Sequence, residues 1–210
     1  ASEDMVASRN PVHCEKDFCR DEVLLNGLFE KISELKKDTV IVLHMMGSHG
    51  PTYYKRYPER FKKFLPACDT ADLQKCSREQ IVNTYDNTIL YTDFVISSAI
   101  DILKKFPQYE TGLIYISDHG ESLGENNIYL HGIPYAIAPQ EQKKVPFLLW
   151  MSEKMKKSTS SDWKCLQRQA RTAGYSQDNL FHSVLGLMKV KTSVYDAGLD
   201  IFSSCTLSAK

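Results

Sequence analysis

One stretch of the chain decides its fold class, Gly112-Leu113-Ile114-Tyr115-Ile116-Ser117-Asp118-His119-Gly120. It begins as an apolar run of strand length and ends in a polar turn with a glycine, where regular structure stops. Residues 39–43 (TVIVL) form a similar apolar run, and the turn HMMGSHGP follows at 44–51. Both stretches predict buried strands with histidines at their carboxyl ends, which is where open α/β sheets form their sites.

Helical and strand patterns alternate around these two stretches. Apolar residues recur at helical spacing over 21–37, 77–106 and 176–188, and 145–150 is a third apolar run. Ser77 with Gln80 has the capping-box pattern. The apolar stripe of the helix that follows is Ile81, Tyr85, Ile89, Ile96, Ile100 and Leu103. The alternation predicts an α/β fold with a mostly parallel sheet flanked by helices, in a single domain over residues 1–210.

The composition argues against several classes of function. Lys plus Arg and Asp plus Glu both number 26, so the formal net charge is zero. A nucleic-acid binder needs a basic surplus to displace counterions, so we expect no nucleic acid as a partner. No apolar run approaches the roughly 20 residues of a membrane span, and the chain starts with polar and acidic residues. We therefore expect a soluble chain from which any anchor or export signal has been removed.

The six cysteines favour an oxidising compartment. Proximity in the sequence suggests three disulfide bonds, Cys14–Cys19, Cys68–Cys76 and Cys165–Cys205. Proximity alone does not fix the pairing, so other connectivities stay open. The alternatives are reduced thiols in a cytosolic enzyme or a zinc site, and the lack of any CxxC spacing makes zinc the weaker explanation of the cysteines.

Histidines and a carboxylate suggest a metal site. Asp118 and His119 are adjacent at a strand end, and zinc accepts this mixture of oxygen and nitrogen ligands. Two more histidines lie in glycine-containing turns, His49 before Gly50 and His131 before Gly132. The predicted metal ligands are therefore Asp118, His119, His49 and His131. The alternative is that each histidine only caps a strand or satisfies backbone groups.

The sequence does not identify a nucleophile. It contains no G-x-S-x-G elbow, no P-loop and no G-x-G-x-x-G, which argues against α/β-hydrolases and ordinary nucleotide-dependent enzymes. Hydroxyl groups do lie beside the candidate ligands, at Ser48, Thr52, Ser117 and Ser122. A metal could activate any of them, and nothing in the sequence singles one out.

Several motifs resemble those of the phosphoethanolamine transferases of Gram-negative bacteria that act on lipid A, a family that includes the mobile colistin-resistance enzymes. They are VLHMMGSHGP (42–51), YYKRYP (53–58), NTYDN (83–87), SDHGESLGEN (117–126), YLHG (129–132) and YSQDNL (175–180). The resemblance runs from about Cys14 to the C-terminus. It implies an alkaline-phosphatase- or sulfatase-like α/β fold that holds zinc at its strand ends.

The resemblance also implies roles for individual residues. Asp118 and His119 would bind the catalytic zinc, and His49 and His131 would bind a second zinc or the transferred phosphate. His44 would line the phosphoethanolamine pocket.

The implied reaction moves phosphoethanolamine from phosphatidylethanolamine to lipid A with the help of zinc. Glu121 would then serve the second metal or the ethanolamine ammonium group. The modified lipid A would carry less negative charge and bind polymyxin and other cationic peptides less tightly. The family is periplasmic and disulfide-rich, which agrees with the compartment that the cysteines favour.

The chain departs from the family in one respect. The family's nucleophilic threonine and a zinc-binding glutamate come from a segment upstream, after an N-terminal transmembrane domain, and no threonine here matches that motif. We therefore expect the C-terminal part of a periplasmic catalytic domain, attached to the inner membrane through the missing domain. Alone, it should bind zinc weakly, be inactive and expose a sheet edge or an apolar face. The alternatives are another phosphodiesterase or sulfatase of the superfamily, or a silent domain that binds zinc or phosphate.

Overall fold

A computed structural model describes residues 3–4, 11–15, 18–159 and 161–206 of the chain. These residues group into two compact units, one from Ala1–Leu103 and His119–Val145, the other from Lys104–Asp118 and Pro146–Lys210. The single domain expected from the sequence stays a prediction. Among the described residues, no helix combines the length and the apolar character that a membrane crossing requires.

Helices dominate both units. The α-helices are α1 (Leu28–Ser33), α2 (Arg78–Lys104), α3 (Gln140–Lys143), α4 (Glu153–Ser158), α5 (Trp163–Thr172) and α6 (Gln177–Leu187). The strands are β1 (Gly112–Ile116), β2 (Ser122–Leu123), β3 (Tyr129–Leu130) and β4 (Phe147–Met151). Short 3-10 helices occupy Asp21–Leu25, Tyr53–Lys55, Glu59–Phe61, Leu73–Lys75, Glu125–Asn127 and Ser203–Cys205.

The strands form two antiparallel pairs. In the second unit β1 pairs with β4, and in the first unit β2 pairs with β3. The mostly parallel sheet predicted from the sequence is therefore absent from the described residues, because the apolar runs at 112–116 and 147–151 pair with each other in opposite directions. The run at 39–43 has no ladder partner among them and is not the predicted buried strand. Val42 is 82% exposed and Val40 is 52% exposed, so part of this apolar run faces solvent.

α2 begins as the sequence predicts. The Ser77 backbone N–H donates to Gln80 Oε1 at 2.8 Å, and the Gln80 N–H donates to Ser77 Oγ at 3.2 Å, so the capping box forms. The apolar stripe is only partly correct, since Ile81 is buried but Ile89 is 46% exposed.

The buried face of α2 is partly polar because its side chains hold loops. Asn87 Oδ1 accepts hydrogen bonds from the backbone N–H groups of Lys63 and Phe64, at 2.7 and 2.8 Å. Thr84 Oγ1 accepts one from the Cys68 N–H at 2.6 Å. Buried polar groups need such partners, and here they tie the irregular segment 62–68 to the longest helix of the described chain.

The other helices agree with the predictions from the sequence to different degrees. α6 lies where a helix was predicted, and Ser176 caps it with Asn179 in a second capping box. The predicted helix over 21–37 is instead split into a 3-10 turn and α1, because Gly27 between them has a left-handed φ of 69°. α3, α4 and α5 were not predicted.

Each unit has its own core, and disulfide bonds lie in both. In the first unit Tyr53, Cys68 and Ile81 pack together, and Tyr57, Tyr91 and Val95 form another cluster. In the second unit the core is Met151, Leu166, Ile201, Phe202 and Cys205. The three disulfide bonds are Cys14–Cys19, Cys68–Cys76 and Cys165–Cys205, so the predicted pairing is confirmed.

Candidate active site

The first unit builds the site on a short hairpin. β2 and β3 pair with Ser122 opposite Leu130, so Glu121 and His131 occupy the next position beyond this pair. Side chains at opposed positions of an antiparallel ladder lie next to each other. The register therefore brings Glu121 and His131 into contact, although they are 10 positions apart in the sequence.

α3 holds both strands of this hairpin. The buried Gln142 donates from Nε2 to Ser122 Oγ and to the Leu130 carbonyl oxygen, at 3.0 Å each. The Gly120 N–H donates to the Gln142 carbonyl oxygen at 3.0 Å. A Cβ at Gly120 would collide with the carbonyl oxygen of Glu141, so this close approach requires glycine.

A loop at residues 44–51 carries His49. The buried Asp21 carboxylate accepts hydrogen bonds from the Met46 and Gly47 N–H groups, both at 2.9 Å, and Arg56 Nε donates to the His49 carbonyl oxygen at 2.9 Å. Burial raises the pKa of Asp21, while the two backbone hydrogen bonds and the Arg56 charge act in the opposite direction. These contacts fix the backbone on both sides of the histidine.

Three imidazole rings converge in this unit. The ring centroids of His119 and His131 are 3.9 Å apart, those of His49 and His131 are 5.1 Å apart, and those of His49 and His119 are 6.3 Å apart. The structure thus brings together three of the four metal ligands that the sequence predicts.

The backbone and Glu121 set one common tautomer for the three rings. His49 Nδ1 lies 2.7 Å from the Gly50 carbonyl oxygen, and His119 Nδ1 lies 3.0 Å from the Gly120 carbonyl oxygen. A carbonyl oxygen can only accept, so both Nδ1 atoms carry the proton. His131 Nδ1 contacts Glu121 Oε1, which is also an acceptor when ionised. In each neutral ring the lone pair is therefore on Nε2, the arrangement typical of histidines that bind metals.

Glu121 links the hairpin to the segment after the His49 loop. Its side chain is 3% exposed, whereas that of His131 is 29% exposed. One carboxylate oxygen contacts His131 Nδ1, and the other accepts a hydrogen bond from the hydroxyl of Tyr53. Burial, and then the contact with Glu121, raise the pKa of Tyr53 well above its ordinary value, so this phenol remains a donor.

The donor set fits a zinc ion. His119, Glu121 and His131 each offer a ligand atom, and these atoms lie within 4.8 Å of one another. Two imidazole nitrogens and a carboxylate oxygen are a mixture that zinc binds in catalytic sites. Because backbone or side-chain acceptors hold the Nδ1 atoms, the rings are already oriented before a metal enters.

Two predicted site residues lie outside this group. Asp118 belongs to the second unit, where its side chain is exposed and its carbonyl oxygen accepts a hydrogen bond from Gln177 Nε2 at 3.2 Å. His44 is exposed at the start of the 44–51 loop. Their predicted roles as a zinc ligand and as part of the phosphoethanolamine pocket stay predictions.

Two of the candidate hydroxyl groups are already engaged. Ser122 is fully buried, and its Oγ accepts the hydrogen bond from Gln142. Ser48 Oγ lies 2.6 Å from the hydroxyl of Thr88 on α2. Both hydroxyl groups hold the scaffold together, which makes them poor candidates for a nucleophile.

Sequence reasoning missed Tyr53, Asp21 and Gln142, the residues that orient the site. Tyr53 and Asp21 look like ordinary members of an aromatic run and of a helix start in the sequence. Their partners, Glu121 and the Gly47 N–H, are 68 and 26 positions away. Only the fold brings such pairs together.

Comparison with known proteins agrees with the motifs. The family model described as Sulfatase matches residues 1–190. The chain is 55% identical over 204 residues to the phosphoethanolamine transferase EptA of Escherichia coli K12, which covers 97% of this chain but 37% of that protein. It is 44% identical over 152 residues to the Escherichia coli phosphatidylethanolamine transferase Mcr-1, which covers 71% of this chain and 27% of that protein.

A solved structure has nearly the same fold. The soluble domain of lipooligosaccharide phosphoethanolamine transferase A from Neisseria meningitidis superposes with a TM-score of 0.94 at 42% identity, covering 98% of this chain and 62% of that one. The chain thus spans little more than a third of the length of the EptA proteins that it matches. By its family model, sequence motifs and fold, the chain belongs to the sulfatase family, and within it to the lipid A phosphoethanolamine transferases.

Proposed function

We propose that the protein to which this chain belongs transfers phosphoethanolamine from phosphatidylethanolamine to lipid A and uses zinc to do so. The observation that carries the proposal is the convergence of three imidazole rings, those of His119, His131 and His49. In each ring an acceptor contacts Nδ1, so Nε2 remains available for a metal or a phosphate. These residues belong to the motifs that the chain shares with the family. The diacylglycerol part of the donor would leave, and a phosphate of lipid A would receive the phosphoethanolamine group.

In this proposal the residues of the chain bind the metal and the transferred group. Asp118 and His119 would hold the catalytic zinc ion, and Glu121 would orient His131 from the Nδ1 side of its ring. When bound, zinc supplies positive charge that neutralises phosphoryl oxygens and lowers the pKa of a hydroxyl group.

The remaining residues would bind the substrate. If no second zinc ion is bound, the protonated imidazoles of His49 and His131 would donate hydrogen bonds to the phosphoryl oxygens, where negative charge accumulates during the transfer. His44 would line the pocket for the phosphoethanolamine group, and Glu121 would attract the ethanolamine ammonium group. The second zinc ion that the resemblance implies would use His49 and His131.

The nucleophile would come from outside residues 1–210. The family resemblance assigns this role to a threonine in an upstream segment, and Ser48 and Ser122 are engaged in the scaffold. The 210-residue chain should therefore bind zinc weakly and not complete a turnover.

We place the intact protein on the periplasmic side of the inner membrane, anchored by an N-terminal domain. The three disulfide bonds support an oxidising compartment. Lipid donor and lipid acceptor would then both be reached from the membrane surface.

The first test is zinc binding by the purified chain. Stoichiometry and affinity are measured by competition with a chromophoric chelator for the wild type, His119→Ala and His131→Ala. His182→Ala is the matched control, because this half-buried histidine lies on α6 in the second unit. We expect both site variants to weaken zinc binding by about tenfold or more and the control to leave it unchanged. Equal zinc affinity in all four proteins would exclude this metal site.

The second test concerns the reaction. The intact protein and its His131→Ala variant are produced in a bacterium lacking its own transferase, and lipid A is analysed by mass spectrometry. We expect phosphoethanolamine-modified lipid A with the intact protein and very little with the variant. Unmodified lipid A in both strains, with zinc bound to the purified protein, would favour the silent zinc-binding domain instead.

A further inference from the structure

The Tyr53 phenol is buried in a tightly packed cluster. Its side chain is 1% exposed and packs against Cys68 and Ile81, and its ring meets that of Tyr85 edge-on at 5.6 Å between centroids. A buried hydroxyl needs a hydrogen-bond partner, and here the partner is Glu121 Oε2. The packing leaves the ring little freedom, so its hydroxyl is held at one place.

The Glu121 carboxylate connects the Tyr53 hydroxyl to a histidine of the site. Its second oxygen contacts His131 Nδ1, so a short chain of contacts runs from Tyr53 through Glu121 to His131. Ionised carboxylates accept hydrogen bonds at both oxygens, and here both oxygens have a donor. The orientation of the carboxylate, and with it the tautomer of the imidazole, depends on both contacts.

We infer that Tyr53 is a positioning residue of this site, whose hydroxyl holds Glu121 so that Glu121 fixes His131 with its Nε2 directed to the bound metal or phosphate. The inference rests on the proposed function for the identity of the ligand, but not for the chain of contacts itself. Residues behind a metal-binding histidine commonly set its orientation and basicity.

Removing the Tyr53 hydroxyl would leave one buried acceptor without its hydrogen-bond donor. In Tyr53→Phe the ring still fills the cluster, but Glu121 Oε2 becomes a buried acceptor without a protein donor. Such an oxygen is costly to leave unpaired, so the carboxylate should rotate or admit water. Either change loosens the contact with His131 Nδ1 and allows the ring to populate its other tautomer.

The experiment compares Tyr53→Phe with a matched control and reads two properties. The control is Tyr57→Phe, because Tyr57 is also buried but belongs to a different cluster of the first unit. In the metal-free chain, 15N NMR of the His131 ring reports which nitrogen carries the proton. In the zinc-loaded chain, chelator competition reports affinity. Circular dichroism establishes that both variants are folded.

We expect the wild type and Tyr57→Phe to hold the proton of His131 on Nδ1, and Tyr53→Phe to show a mixture of tautomers. We expect zinc affinity to fall by about tenfold in Tyr53→Phe alone. In a Glu121→Met background, Tyr53→Phe should have no further effect on either property, because the phenol then has no carboxylate to position.

The outcomes separate this inference from the proposed function. If Tyr53→Phe leaves both the tautomer and zinc affinity unchanged, or if Tyr57→Phe changes them equally, Tyr53 is not a positioning residue. If His131→Ala and Glu121→Met also leave zinc affinity unchanged, the metal site itself is wrongly assigned. The tautomer measurement then decides alone whether Tyr53 acts through Glu121.

Discussion

The ring of Tyr53 occupies the space in which a side chain at Gly50 would lie. A Cβ at Gly50 would be 2.7 Å from Cζ and Oη of Tyr53 and 2.6 Å from Cδ2 of Leu130. Packed interiors do not accommodate such short distances without movement. Gly50 follows His49, and Tyr53 binds Glu121, so this one close approach joins the His49 loop to the hairpin.

Gly50→Ala should therefore disturb both stability and the site. The added methyl group must displace the Tyr53 ring and the Leu130 side chain, and we expect the free energy of unfolding to fall by about 1–3 kcal/mol. Zinc affinity should fall with it, because the Tyr53 hydroxyl would move away from Glu121. Urea unfolding followed by circular dichroism and chelator competition measure the two effects.

Gly174→Ala is the matched control for this change. Apart from the chain neighbours of Gly174, no atom of the described residues lies within 4 Å of a Cβ at this position, so the expected change in the free energy of unfolding is within about 0.5 kcal/mol. Similar losses in the two variants would mean that the contact between residues 50 and 53 is not what limits substitution at Gly50.

The buried Asp21 carboxylate predicts a specific pH dependence of stability. Burial raises its pKa in the folded chain above the ordinary value of 3.8. The folded state then binds a proton more tightly than the unfolded state, so the contribution of Asp21 to stability is largest at low pH. This contribution declines as pH rises from about 3.8 through the raised pKa.

Asp21→Asn replaces the titrating carboxyl group by an amide that does not titrate, so this variant is the reference for the wild type. The free energy of unfolding of the wild type minus that of Asp21→Asn should decrease as pH rises through the window above 3.8. Urea unfolding of both proteins at a series of pH values measures the difference. A difference that increased with pH would mean that the hydrogen bonds from Met46 and Gly47 outweigh burial.

The sequence predicts the elements whose signals are local. Ser77 with Gln80 marks the start of α2, and Ser176 marks the start of α6, because a cap depends on residues three positions apart. The disulfide bonds could be paired because each cysteine has a nearest partner in the sequence. These features need no knowledge of the rest of the fold.

Sheet topology was not predictable in the same way. An apolar run such as 39–43 has strand character, but a strand forms only where another strand pairs with it, and Val42 is exposed here. The polar buried face of α2 was also missed, because Asn87 and Thr84 are buried only by virtue of loops that need their hydrogen bonds. In the site, the histidines could be predicted from their glycine turns, but their orienting partners could not.

Asn87 should be more important for stability than its polar character suggests. It is fully buried, accepts hydrogen bonds from the Lys63 and Phe64 N–H groups, and donates to the Phe64 carbonyl oxygen at 3.0 Å. Asn87→Ala leaves these backbone groups unpaired next to α2, and we expect a loss of about 3 kcal/mol in the free energy of unfolding.

Asn83→Ala offers the comparison, since Asn83 makes one exposed hydrogen bond, from Nδ2 to the Pro66 carbonyl oxygen at 3.0 Å. Its expected cost is about 1 kcal/mol or less. Urea unfolding distinguishes the two variants. If Asn87→Ala and Asn83→Ala lower the free energy of unfolding equally, water replaces the hydrogen bonds of Asn87 without loss of stability.

The disulfide bonds should contribute differently to the free energy of unfolding, because each one closes a loop of different length. Cys165–Cys205 spans 40 positions and Cys68–Cys76 spans 8, and the loss of loop-closure entropy in the unfolded chain grows with this span. We expect replacement of both cysteines by alanine to cost roughly 4 kcal/mol for the long bond and roughly 2.5 kcal/mol for the short one. Hydrogen exchange of buried amides measures the loss of stability separately in each unit. If the short bond costs more, its packing against Tyr53 and Ile81, rather than chain entropy, dominates its contribution.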